Sequence, residues 1–247
     1  MYLLNAHPFR SVQSKADHRA VCLSLLPDLR NRSLPQSTTS TSNETVIVEF
    51  RPLPHIEFLL RNTILHLPTW KHTIICGLEN HALIQQTCAS IPADVRIIAL
   101  RYHNLTTPQY SDLLLTRSFW ELLEGEKILL YQEDTLLFRG DIEPFLAYDY
   151  VGAPWPHKPF GLDLRVGNGG FSLRTRSVML ACLEQKDLEL MMVTHYIPED
   201  VYYSFMIQKH KLGLIPSVEI AKRFAEERVP GNNPLGGHQY WLANRLE

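Results

Sequence analysis

Four acidic residues, one histidine and a run of glycines are the groups in this sequence whose types and spacing could do chemistry. Gln132-Glu133-Asp134 closes a short apolar run over residues 128–132. A carboxylate held at a sheet edge suits a hard divalent cation bridging phosphate oxygens; acids also end strands at the surface with no further role. Along an extended chain Gln132 and Asp134 share one face and Glu133 takes the other. Glu199 and Asp200 follow Pro198 at a helix start, where the helix dipole favours carboxylates by roughly 0.3–1 kcal/mol. The functional alternative there is a general base that takes a hydroxyl proton as that oxygen attacks. His238 follows Gly236-Gly237, and neutral imidazole ligates manganese and zinc; among 11 histidines, one beside glycines is unremarkable by itself. Gly167-Asn168-Gly169-Gly170 either lets a ligand approach the backbone or makes a tight turn into Phe171. It is not a GxGxxG fingerprint and does not lead a strand into a helix, so a dinucleotide site is unsupported. Trp155 lies between two prolines, and its indole either stacks on a sugar or base face or caps a core.

The elements that must position these groups follow from periodicity. Strands are expected over residues 45–50, 73–76, 95–100 and 128–132, with helices from His55, over 80–89 and over 110–123. This alternation predicts α/β architecture with a mostly parallel central sheet flanked by helices. In such sheets ligands sit just beyond the carboxyl ends of strands, where Gln132, Glu133 and Asp134 fall. The second half is less regular: a short strand near residue 150, helices over 175–184 and from Pro198, and a further strand over 214–220. Residues 1–44, with the polar tract 33–43, read as an N-terminal leader and flexible linker, and residues 45–247 as one domain.

Bulk properties bound the function. A chain of 247 residues with 45% hydrophobic and 20% charged residues is an ordinary globule with room for a sizeable core. Its formal charge of −2 supplies no basic field, so nucleic acid is not an expected partner. The four cysteines are far apart with no CxxC pair, which fits reduced, buried thiols better than a zinc site or disulfide framework. No apolar run approaches eighteen residues and the N-terminus lacks a signal pattern, so a cytoplasmic protein with no transmembrane segment is expected.

The order of the motifs carries a resemblance. Val46-Ile-Val-Glu-Phe-Arg51, Gln132-Glu-Asp-Thr135, Val151-Gly-Ala-Pro-Trp155, Gly167-Asn-Gly-Gly-Phe-Ser-Leu-Arg174, Pro198-Glu-Asp-Val201 and Gly237-His238 together resemble the GT-A class of nucleotide-sugar glycosyltransferases. More narrowly, they resemble one glycosyltransferase-like family known as a domain of unknown function. The resemblance implies a single GT-A (Rossmann-like) domain that moves a sugar from a nucleotide-diphosphate donor, UDP being the commonest in the class, to a glycan or other hydroxyl acceptor. It implies that Asp134 stands at the last position of an Asp-x-Asp motif and, with His238, binds Mn²⁺ or Mg²⁺. Gln132 takes the first position, where aspartate is usual, which leaves one metal carboxylate rather than two. Phe50 and Arg51 fall where the nucleoside is held, and Gln132, Glu133 and Asp134 belong to the same donor site. Trp155, Asn168, Gly169 and Gly170 would line the sugar and acceptor cleft. Asp200 matches the catalytic base of inverting members, with Glu199 as the second candidate.

Two other functions compete. A carbohydrate- or nucleotide-sugar-binding protein on the same fold, without turnover, would explain the missing first aspartate. A sugar nucleotidyltransferase needs a glycine-rich basic loop after the first strand, and Arg51-Pro-Leu-Pro-His55 contains no glycine.

Overall fold

Alternation along the central strands sets the layers of the molecule. In β1 (Asn43–Val48), Val46 and Val48 enter one apolar cluster and Ile47 the other; in β4 (Lys127–Tyr131), Ile128 and Leu130 join the first, Leu129 and Tyr131 the second. Successive strand side chains point to opposite faces, so the sheet is buried on both sides. The computed structural model describes residues 7–35, 42–185, 187 and 196–245.

Before β1 come a single turn, α1 (His7–Arg10), and α2 (Lys15–Arg30). After it run α3 (Ile56–His66), β2 (Lys71–Cys76), α4 (His81–Ala89), β3 (Val95–Ala99), α5 (Thr107–Leu114), α6 (Arg117–Glu121), β4 and β5 (Thr135–Leu137). The second half holds β6 (Tyr150–Pro154), β7 (Val166–Thr175), α7 (Arg176–Glu184), α8 (Glu199–His210), α9 (Val218–Phe224), β8 (Ala225–Glu226) and β9 (Gly236–His238). The main sheet has the order β3-β2-β1-β4-β7-β6. Its first four strands are mutually parallel, β7 runs antiparallel to β4, and β6 antiparallel to β7. A small second sheet has the order β5-β9-β8. Helices α2 and α3 pack on the Ile47 face, while α5 to α8 cover the Val46 face. The result is a Rossmann-like α/β domain whose sheet is mostly parallel. Among the described residues no helix is long and apolar enough to cross a membrane.

Three expectations need correction. The helix over residues 110–123 is two short helices, because Thr116 caps α6 by accepting a hydrogen bond from the Phe119 amide. The strand expected over 214–220 is a loop followed by α9. The stretch assigned to a leader contains α2, which buries Cys22, Leu26 and Leu29 and salt-bridges Glu57 of α3 through Arg30; it belongs to the folded body. Residues 36–41 of the expected linker lie outside the described residues.

Candidate active site

Strand order reverses at β1, with β2 and β3 on one side and β4 on the other. Open α/β sheets leave a crevice beyond the carboxyl ends of the strands at such a switch point. Here a cleft of about 420 Å³ opens at that place. Its walls include Glu49, Phe50 and Arg51 after β1, Gln132, Glu133 and Asp134 after β4, and Asn168, Gly169 and Gly170 of β7. Glu199, Asp200 and His238 line the same cleft.

Asp134 and His238 meet because of strand register. β5 pairs antiparallel with β9 so that Thr135 lies opposite His238, which brings the imidazole beside the residue before Thr135. His238 Nε2 lies 3.2 Å from Asp134 Oδ1, and His238 Nδ1 lies 3.2 Å from Glu227 Oε2. Lys15 of α2 places its Nζ 2.8 Å from Asp134 Oδ2. Gln239 adds a side-chain hydrogen bond to that oxygen (2.9 Å) and donates its backbone N–H to the Asp134 carbonyl. Gln239 adopts φ 45°, a left-handed conformation uncommon outside glycine, so this grip is bought with backbone strain beside the cleft. Burial alone would raise the Asp134 pKa, but His238 and Lys15 outweigh it and hold the carboxyl well below the usual range. Burial likewise opposes charge on His238, yet the two flanking carboxylates push its pKa up to about 10.

Glu133 is buried and clamped by basic side chains. Arg19 donates to both of its oxygens (3.0 and 2.6 Å), and His55 and Arg51 approach within 3.1 and 3.3 Å. Burial is overcome by His55 and Arg19, which bring its pKa down to about 2. Arg51 is itself fixed by Glu49, through Nε and Nη2 at 2.8 and 2.6 Å. The expectation that Gln132 and Asp134 share one face of a strand fails, because the chain turns here: Thr135 donates its N–H to the Gln132 carbonyl at 3.2 Å. All three residues reach the cleft through that turn.

The Glu199–Asp200 pair divides. Glu199 is buried against Arg174, whose Nη2 donates to Oε1 at 3.0 Å and whose Nη1 holds Oε2. Arg174 is fully buried, with its guanidinium 4.9 Å from the Tyr150 ring centre. Both oxygens of Glu199, the second candidate for the base, are thus tied to this cation. Among the described residues Asp200 has no such cation beside it. It accepts backbone hydrogen bonds from Gly169 (3.1 Å) and Val201 (2.8 Å). Burial and the neighbouring Glu199 charge push its pKa up to about 7.

The glycines are needed for space. A Cβ at Gly169 would lie 2.6 Å from Glu199 Oε1 and 2.9 Å from Asp200 Cβ, and one at Gly170 would run into the His238 ring. They sit inside β7 rather than in a turn, letting the strand touch both chemical groups. Phe50 is buried edge-on to Tyr102 and lines the cleft. Trp155 does not line it: the residue follows the last position of β6 and packs against the cluster on the Val46 face. Sequence reasoning missed Lys15, whose helix it set aside as leader. It also missed Glu227 and Gln239, whose positions depend on the β5-β9-β8 pairing and leave no local signal.

This donor set offers a divalent ion few ligands. The imidazole stands between Asp134 and Glu227, one on each ring nitrogen, so Glu227 cannot join Asp134 on the same ion, and only Asp134 Oδ1 and His238 Nε2 could face one together. Among the described residues no three His, Cys, Asp or Glu side chains converge on a point.

Residues 94–238, more than half of the chain and the span holding Asp134, Asp200 and His238, match the family described as "Protein of unknown function (DUF5672)". The chain belongs to this family. No curated protein matches it. Among solved structures it is similar to HddC from Yersinia pseudotuberculosis, at 11% identity over 55% of this chain and 78% of that one; a TM-score of 0.38 makes that likeness too weak to argue from.

Proposed function

We propose that this protein is a glycosyltransferase that uses a nucleotide-diphosphate sugar, with Asp200 as general base and inversion at the anomeric carbon. One observation carries the reading: Asp134, Asp200 and His238, far apart along the sequence, all line a single cleft at the sheet's switch point. The donor's nucleoside lies against Phe50 at the end of β1, and its diphosphate lies toward Asp134 and its cations. The sugar then points across Asn168 and Gly169 toward Asp200. A carboxylate on that far wall takes the acceptor's hydroxyl proton as the oxygen attacks, and the nucleoside diphosphate departs from the opposite face. A pKa near neutrality suits this task, since the base is charged at working pH yet still basic enough to accept a proton. A divalent ion, where bound, would add charge neutralisation at the leaving diphosphate; Asp134 and His238 are the side chains that could face it.

The reading is tested by incubating the protein with a panel of nucleotide sugars and simple hydroxyl acceptors. Nucleoside diphosphate release and the anomeric configuration of the product are followed by NMR. Inverted product is expected. Retained product would remove Asp200 from the base role, and pyrophosphate formed from a sugar phosphate and a nucleoside triphosphate would favour a nucleotidyltransferase instead.

A further inference from the structure

We propose that Lys15 of α2 is the cation that holds the donor's diphosphate, in the role that the resemblance gives to a metal ion. This deepens the nucleotide-sugar reading and rests on it. Lys15 lines the cleft, 2.8 Å from Asp134 and 3.4 Å from Glu133, with 43% of its side chain exposed. An ammonium has three donors. Two carboxylates fix its position and leave it one donor for a phosphate oxygen.

Local charge points the same way. Each acid at this corner already has its own cation: Glu49 has Arg51, Glu133 has Arg19, and Asp134 has Lys15. A divalent ion would have to share Asp134 with Lys15, which holds Oδ2, and at position 132 it would meet a neutral amide instead of a second carboxylate. A phosphate displaces nothing, because Lys15 and Arg51, the latter 38% exposed, both present charge to the cleft. Both are anchored from behind by carboxylates, so little side-chain freedom is lost when the ligand binds. Lys15 lies outside the residues matched by the family; α2 brings it in as a separate wall of the site.

Calorimetry on the full chain with UDP, GDP, CDP and ADP, each in EDTA and in Mn²⁺, tests this. The expected result is that one of the four binds in EDTA with an affinity that Mn²⁺ leaves unchanged. Lys15→Ala should then weaken it by about 10- to 100-fold, the loss expected for a charge-assisted hydrogen bond, while Lys15→Arg retains most of the affinity. Lys15→Gln keeps a donor to Asp134 without the charge, so it separates charge from folding should the alanine variant melt early. Binding that requires Mn²⁺ and is indifferent to Lys15→Ala overturns the proposal and leaves the nucleotide reading standing. Native protein that binds none of the four in either buffer overturns both.

Discussion

At Asp200 two environments act on one carboxylate. Two backbone amides favour its charged form, while burial and the adjacent Glu199 disfavour it, and the balance leaves its pKa at about 7. A base must be deprotonated to act. We therefore expect kcat/KM for transfer to rise tenfold per pH unit below about 7 and to level off above it. Stability should run the other way. A carboxyl whose folded pKa lies above its unfolded value takes up a proton on folding, so its contribution is greatest below the unfolded pKa of ~3.9 and declines as pH rises toward 7. Melting curves at pH 5 and 8 should show Asp200→Asn gaining on the native protein at the higher pH; an equal offset at both would contradict the assignment. The resemblance ranked Asp200 before Glu199, but the physical difference between them was not legible, because it lies in Arg174, 25 residues from Glu199 and tied to it only in the fold.

Strand β7 shows how an element can serve a site through what it lacks. Gly169 and Gly170 let the sheet lie against Asp200 and His238, where any side chain would collide. Gly170→Ala must push the imidazole aside, at a cost of about 1–3 kcal/mol of overpacking. That predicts a melting temperature lower by ~2–4 °C per kcal/mol; an unchanged melting point and unchanged nucleotide binding would show that the ring is free to move. The same strand carries Arg174, whose charge is buried with Glu199 as its counter-ion. Glu199→Gln leaves that cation uncompensated and is expected to cost ~3–5 kcal/mol in denaturant unfolding. A loss below about 1 kcal/mol, the range of an exposed pair, would contradict the burial. The glycine run was legible as a place of close approach, but what approaches it was not. His238 arrives through β9, a three-residue strand too short to announce itself by alternation.

The architecture of the whole molecule was largely written in its periodicities. Apolar runs with β-branched residues marked β1 to β4, and helical spacing from Ile56 marked α3, so the parallel half and its ligand-bearing edge could be placed. The pairing of β6 and β7, the small β5-β9-β8 sheet and the role of α2 could not. An amphipathic helix preceding a polar tract looks like a leader until its partner surface is known. Here that surface is α3 and the far end of the chain, where His18 meets the Tyr240 hydroxyl at 3.1 Å. Helix α2 is thus expected to unfold with the rest: Leu29→Ala should cost about 2–5 kcal/mol, as for a buried core leucine, in one cooperative transition. A separate early transition would mean that α2 is only loosely attached.

The most direct test of the account compares native protein with Asp200→Asn in two readouts, donor-induced melting shift and release of nucleoside diphosphate. A nucleotide sugar at about 100 times its Kd stabilises the protein that binds it by ~2.7 kcal/mol. The account predicts that one donor raises both melting temperatures alike, while release falls by about 10²–10⁴ in the variant alone. Equal release by the two proteins, or no nucleotide sugar that shifts either, would contradict it.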